Sequence, residues 1–309
     1  MNSVEIRNIT KTFGEVVAVD GLSLDVPAGS VYGFIGPNGS GKTTTLRMIM
    51  NIFYPDSGEI VVLGNNRPGA CTDRIGYLPE ERGLYKRMNV REILRFYGEL
   101  KAGRSVNKEV DVWLDRMDLA AWADKKVETL SKGMSQKVQF IASVISNPEI
   151  LILDEPFSGL DPVNTDVIRT AVLELQDNGT TVIFSTHDMS MAERMCDFIF
   201  MIFKGRKVLD GTLEAIQDKY GADTLRVSCE GGATAIKDIK GIARVNDFGQ
   251  IQDVRMVGGA DPQDILAAIM ARTKVKSFEV TRPSLHDIFV RIAGPEAREA
   301  EDAQDIQDS

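Results

Sequence analysis

Two stretches of this sequence gather the residue types that handle phosphate. "GPNGSGKTT", Gly36 to Thr44, sets Gly36, Gly41, Lys42 and Thr43 in the spacing G-x-x-x-x-G-K-[ST]. Glycines let the backbone wrap so that its N–H groups face phosphate oxygens, and a helix opening there adds its positive end. Lys42 is then a mobile cation for the outer phosphates, the Thr43 hydroxyl can hold Mg²⁺, and Asn38, Gly39, Ser40 and Thr44 line the same loop. The chemistry is binding of a nucleoside triphosphate. Downstream, "EILILDEP" ends four apolar residues in Asp154 and Glu155. There an Asp reaches Mg²⁺, through water, and a Glu orients or deprotonates an attacking water. Alone, an apolar run ending in acids is commonly just a strand end; the glycine loop upstream reverses those odds.

The second stretch is "LSKGMSQK", Leu130 to Lys137, another glycine-bearing turn that opens a helix. Ser131 and the Gly133 backbone suit an anion there as well. On its own the pattern reads equally as an ordinary helix cap with a tight turn.

The elements that must position these residues follow from hydrophobic period. "SVEIRNIT" and "LSLDV" alternate like half-buried strands, and "SVYGFIG" is a buried strand feeding the first glycine loop. "KTTTLRMIMNIF" continues with helical period, and "GEIVVLG" and "RIGYLP" read as further strands. From "NVREILRFYGELKA" to about Asn147 the pattern is mainly helical. "EILILDEP" and "TTVIFSTHD" are buried strands around the helix "PVNTDVIRTAVLELQDNG". This order predicts a largely parallel α/β sheet, a mixed sheet core with a helical subdomain at about residues 86–147, within a first domain spanning 1–220.

Residues 221–293 change character. "TLRVSC", "IARVN", "IQDVRMV" and "KSFEVTR" are short strands. "DPQDILAAIMARTK" starts a helix with Asp261 as N-cap, Pro262 at N1 and Asp264 placed for a capping box, and Ser284 with Asp287 opens the last helix. The expectation is a small α+β domain, with a ferredoxin-like arrangement the nearest match. Residues 294–309 hold six acids against one arginine and few apolar residues, so disorder is expected there.

Composition narrows the classes. With 43% apolar and 26% charged residues, the chain can build a sizeable core. Of the net charge of −9, five units lie in the last fifteen residues, and no basic face suggests nucleic acid as a partner. Cys71, Cys196 and Cys229 are too far apart for a disulfide framework or a CxxC pair, and a reducing cytosol fits them. The N-terminus lacks a signal-peptide apolar region, and the longest apolar runs, "ILIL" and "FIFMIF", fall far short of a bilayer span.

Six ordered features, "KTFG", "GPNGSGKTT", "GYLPEE", "LSKGMSQK", "ILILDEP" followed by "SGLD", and "STHD", make residues 4 to about 215 resemble the ATP-binding cassette family. The resemblance implies an ATPase that uses ATP and Mg²⁺ and works as a head-to-tail dimer. Each ATP would lie between one chain's phosphate loop and the partner's signature turn, Ser131, Lys132, Gly133 and Met134. That gives the second glycine stretch its use. The resemblance further implies Glu155 as base and His187 as the switch histidine on the γ-phosphate. Phe13 would be the aromatic on adenine, though a lone Phe is more often core, and Asp161 the loop that communicates across the dimer. Two departures stand out. Glu80 occupies the place of the usual glutamine, where it can still touch Mg²⁺ or the water but adds negative charge, and Lys132 stands where glycine is common.

The segment ending in "PSLHDIF" looks like the C-terminal extension of ATPase subunits in the sodium- and drug-exporting branch. The implied role is the ATPase subunit of an ABC-2-type exporter, cytoplasmic and peripheral on the inner membrane face through a separate permease. Tyr85, Met88 and Phe96 are candidates to touch that permease, or equally to pack within the helical subdomain. The rival reading is a cassette ATPase acting on ribosomes or in DNA maintenance. Those usually carry two cassettes, or coiled coils and zinc modules, and none of these is visible in the sequence.

Overall fold

β1 (Asn2–Phe13) buries Val4, Ile6 and Ile9 and pairs antiparallel with β2 (Val16–Pro27). β3 (Val31–Ile35) is buried at every residue and runs into the glycine loop and α1 (Lys42–Ile49). β4 (Ser57–Val62) then pairs with the other side of β1, closing a three-stranded antiparallel sheet in the order β2-β1-β4. β5 (Ile75–Leu78) leads to three helices, α2 (Val90–Ala102), α3 (Asn107–Arg116) and α4 (Lys132–Val144). β6 (Ile150–Asp154), α5 (Pro162–Asp177), β7 (Thr181–Thr186) and α6 (Met189–Met195) follow, then the hairpin of β8 (Phe198–Phe203) and β9 (Arg206–Thr212). This computed structural model describes residues 1–67, 69–81, 83–221 and 223–294.

The second sheet has the order β5-β6-β7-β3-β8-β9 and is parallel except for β9. Parallel strands covered on both faces need apolar residues at every position, which explains why "ILIL" and "VIF" run without alternation. Their period of two still sorts them. Leu151, Leu153, Val182 and Phe184 face the helical side, with Val138, Phe140 and Ile141 of α4. Ile150, Ile152, Ile183 and Phe34 face the other, against Leu46, Ile49 and the antiparallel sheet. β6, β7 and β3 are neighbours, so their C-terminal ends bring Asp154, Thr186 and Ile35 to one edge. Ligand sites of open α/β sheets form at such an edge.

The chain divides into two compact units after Thr212. α7 (Leu213–Tyr220) therefore groups with the second unit, whereas a boundary at residue 220 would leave it in the first. The second unit continues β10 (Thr224–Cys229), α8 (Gly232–Ile236), β11 (Ile242–Asp247), β12 (Gln252–Met256), α9 (Pro262–Met270), β13 (Val275–Thr281) and α10 (Leu285–Ala293). Its sheet, β11-β12-β10-β13, is antiparallel throughout, and two strand–helix–strand crossovers make it ferredoxin-like. Leu225, Val227 and Val254 pack with Ile236, Ile265 and Ile269. α8 is five residues opening on two glycines, too short to register as a period.

Ser284 and Asp287 form the reciprocal box that opens α10. Asp261 caps α9 differently: its carboxylate accepts the Gln263 amide at 2.8 Å, one residue short of the N3 amide. Among the described residues Asp264 returns no bond, so the box expected there does not form. The acidic segment read as disordered lies, from residue 295 on, outside the described residues.

Candidate functional site

The phosphate loop is shaped from behind by main chain. Gly36 has φ 155°, and a Cβ there would lie 2.2 Å from the Ile202 carbonyl oxygen. Gly41, which precedes α1, has φ 108°, and a Cβ there would lie 2.5 Å from the Ala18 oxygen. Neither position has room for a side chain or a conformation that favours one. Lys42 Nζ donates to the carbonyls of Gly36 (2.6 Å) and Pro37 (3.2 Å) and lies 3.8 Å from Glu155 Oε1. Both side chains are buried, 6% and 8% exposed. Burial pulls the Lys42 ammonium below its ordinary value, while Glu155, Asp154 and Glu80 pull the other way.

Asn38 to Thr44, Glu80 and Glu155 line a cavity of about 580 Å³, within the usual range for small-ligand sites, roughly 300–1,000 Å³. Thr43 Oγ1 donates to Asp154 Oδ1 at 3.2 Å, and Ser185 Oγ donates to the same oxygen. Asp154 Oδ2 is buried without a hydrogen-bond partner among the described residues. A buried carboxylate oxygen calls for a donor or a cation. The described residues hold no cluster of three or more His, Cys, Asp and Glu that would cage a metal unaided.

Glu155 holds the left-handed backbone conformation, φ 47°, that a non-glycine residue adopts only when its surroundings impose it. Its amide donates to the Ser185 carbonyl and hydroxyl, both at 3.2 Å, so the end of β7 fixes the turn. Its Oε1 is 3.0 Å from His187 Nδ1. This bond raises the His187 pKa, against the opposing effect of burial. The contact therefore contributes stability fully present below the free-histidine value of about 6.5 and lost as pH rises through the raised one. Replacing Glu155 by Gln should lower the His187 titration midpoint followed by NMR; an unmoved midpoint would remove Glu155 as the cause.

Glu80 lines the same cavity, and burial followed by the Asp154 and Glu155 charges raises its pKa. It therefore takes up a proton more readily than a free glutamate, which softens the extra charge relative to glutamine.

Not every anticipated residue joins this cavity. The signature turn is a built helix start: Ser131 caps α4, accepting the Met134 amide at 3.2 Å, and Gly133 packs beside Asn164 of α5. None of Ser131, Lys132, Gly133 and Met134 lines the phosphate-loop cavity. Asp161 caps α5 through the Asn164 amide at 2.9 Å, next to that turn. Phe13 is 44% exposed at the end of β1, edge-on to Phe53 with ring centroids 5.3 Å apart, and does not line the cavity either. Ser185, which joins Asp154 to Glu155, escaped the sequence reading. Its signal was a small polar residue at the buried end of an apolar strand. Val16 and Val17, exposed beside the loop and lining the cavity, carry no pattern that would single them out.

Residues 19–158 match the family described as ABC transporter, and residues 211–293 match the C-terminal domain of the ATP-binding protein DrrA1-3-like family. The chain is 39% identical over 291 residues to an uncharacterized ABC transporter ATP-binding protein, YhaQ, of Bacillus subtilis, covering 94% of this chain and 98% of that one. It is 32% identical over 303 residues to the Nod factor export ATP-binding protein I of Burkholderia lata, covering 96% and 98%. Among solved structures, the ATP binding subunit of an ABC transporter aligns with TM-score 0.66 at 28% identity, over 71% of this chain and 93% of that chain. A nucleotide-free ATP-binding cassette aligns with TM-score 0.62 at 27% identity, over 71% and 94%.

Proposed function

Because this chain belongs to the ABC transporter family of ATP-hydrolysing subunits, we propose that two copies close head to tail around two ATP molecules and drive a separate export permease. One observation carries the dimer: the turn from Ser131 to Met134 is a finished helix start, yet it faces no part of its own chain's phosphate-loop cavity. A partner's turn over that cavity would supply the second set of backbone donors, and γ-phosphate would join the two subunits.

In this reading the loop from Gly36 to Thr44 binds the phosphates, with Lys42 on the outer ones, and Phe13 meets the adenine. Mg²⁺ fits beside Thr43 and the partnerless Asp154 Oδ2, with Glu80 within the same cavity wall. Bound there, the ion would neutralise charge on the β- and γ-phosphates. Glu155 takes the proton of the attacking water, and His187, held by the Glu155 carboxylate, orients at the γ-phosphate. Asp161, beside the signature turn, passes the state of one site to the other.

The export role is supported by the DrrA-like C-terminal region and by relatives named for Nod factor export. Among the described residues no helix is long and apolar enough to cross a membrane, and in this reading a separate permease provides the path. An apolar groove of about 370 Å³, lined by Tyr77, Pro79, Leu84, Tyr97 and Leu100, suits a permease segment, and Tyr85 and Phe96 remain exposed nearby. Met88 instead packs on the helical-side core. The chain would thus sit on the cytoplasmic face of the membrane.

The test is subunit mixing. Lys42→Ala and Gly133→Asp should each be inactive alone, and random mixing should restore about a quarter of wild-type hydrolysis, since half the dimers regain one of two sites. Mixtures as inactive as the single variants would refute the shared site. Recovery of a multi-span membrane protein with tagged Glu155→Gln protein and Mg-ATP from native membranes tests the permease; recovery of soluble partners alone would overturn it.

A further inference from the structure

The second unit holds a cavity larger than the phosphate-loop one, about 630 Å³, between the polar face of its sheet and α10. Its origin is the period of two. Leu225, Val227 and Val254 point into the core, so Arg226, Asp253 and Arg255 point the other way, and Arg244 on β11 joins them. β11 and β12 are registered so that Arg244 sits directly opposite Arg255. Like charges facing each other across strands are destabilising, and a sheet tolerates them best when an anion lies between.

The acids in the neighbourhood are already engaged. Asp223 accepts a fork from Arg291 at 2.9 and 3.2 Å and one bond from Arg255 Nε at 3.4 Å. Asp253 accepts from Arg226 at 3.1 Å. Asp287 holds the Ser284 amide and hydroxyl, and Asp247 holds Gln252 Nε2 at 2.9 Å and the Gly249 amide at 3.0 Å. By contrast, the side chains of Arg244 and His286 have no hydrogen-bond or ion-pair partner among the described residues, and both line the cavity. Arg255 uses only its Nε, leaving its outer nitrogens to the cavity. Phe248, 69% exposed, adds an apolar ring at the wall.

We propose that this cleft is an oxyanion site, in which Arg244, Arg255 and His286 hold a carboxylate or phosphate group. Guanidinium groups match such oxygens two at a time, and Phe248 favours a ligand with an apolar or planar part beside its anionic end. The chemistry has two sources. One is a free small anion. The other is the segment 295–309, which follows α10 and carries six carboxylates against one arginine. The site belongs to the C-terminal unit and gives that unit a ligand through which export can be regulated.

Arginine footprinting with phenylglyoxal, read residue by residue by mass spectrometry, tests this on the full chain with Mg-ADP bound. The probes are inorganic phosphate and succinate, with sodium chloride at matched ionic strength as control. At ten times its midpoint concentration, a probe that binds should slow modification of Arg244 and Arg255 about tenfold. His286→Ala should raise that midpoint without changing Tm. The same protection in a chain stopped after Gly294 identifies a free anion as the ligand. Slow modification of Arg244 in the full chain that quickens on removal of residues 295–309 identifies the chain's own carboxylates. Modification unmoved by probes and truncation, or slowed as much by chloride, overturns the site.

Discussion

Glu155→Gln should bind Mg-ATP and hydrolyse it about a thousandfold more slowly than wild type, within the usual span of about 10²–10⁴ for loss of a general base. Glutamine keeps the size and the accepting oxygen of glutamate, so the bond to His187 and the turn fixed by Ser185 have no reason to move. What disappears is the capacity to accept a proton. The substitution also removes one of three carboxylates, with Asp154 and Glu80, that bear on Lys42 in the cavity. Triphosphate binding should therefore hold or tighten, and closed dimers should accumulate. Single-turnover hydrolysis and sedimentation with and without Mg-ATP read both effects. A wild-type rate would end the assignment of Glu155 as base.

Lys42→Ala should weaken ATP binding on the order of 10²–10³-fold, about 3–4 kcal/mol, within the range for truncating one partner of a buried charge pair in a complex. The ammonium is buried beside Glu155, and its removal leaves the Asp154, Glu155 and Glu80 carboxylates to face an anionic ligand without the ammonium that all three act on. Folding should respond less than binding. Lys42 is the first residue of α1, where alanine is a good helix former, and its bonds go to loop carbonyls rather than across the core. Fluorescent-nucleotide titration beside a melting curve separates the two. Unchanged affinity, or a collapse of Tm, would contradict the role given to Lys42.

The parts of this site that were legible in the sequence are those coded in short windows. The glycine loop, the acids after "ILIL" and the turn at "LSKG" each sit within nine residues, and apolar runs announce the parallel strands behind them. Strand neighbours are another matter. That β6, β7 and β3 adjoin, so that Ser185 can bind Asp154 and the Glu155 amide together, depends on pairings between segments about thirty residues apart for β6 and β7 and about a hundred and fifty for β3 and β7. The left-handed turn at Glu155 leaves no composition signal, because the residue there is chosen for chemistry and its backbone is forced by neighbours. The facing arginines of the second unit are equally silent: a shift of one residue in the β11–β12 register would separate them. The failed box at Asp264 shows the opposite error, a correct local pattern whose cap oxygen took the nearer amide.

The carbonyls of Ile202 and Ala18 that close in on Gly36 and Gly41 belong to every amino acid alike. A substitution at Ile202 or Ala18 that keeps the local packing changes a side chain and leaves those oxygens standing, so the main-chain mould survives it. The same mutation at Gly36 or Gly41 drives a methyl group into an oxygen at 2.2 or 2.5 Å. A saturation library selected for nucleotide binding should thus yield a lopsided map, closed at the two glycines and, at Ile202, open to the apolar side chains that its buried core position can pack. Lineages of this protein can exchange packing side chains around the loop while inheriting its shape through atoms that no codon alters.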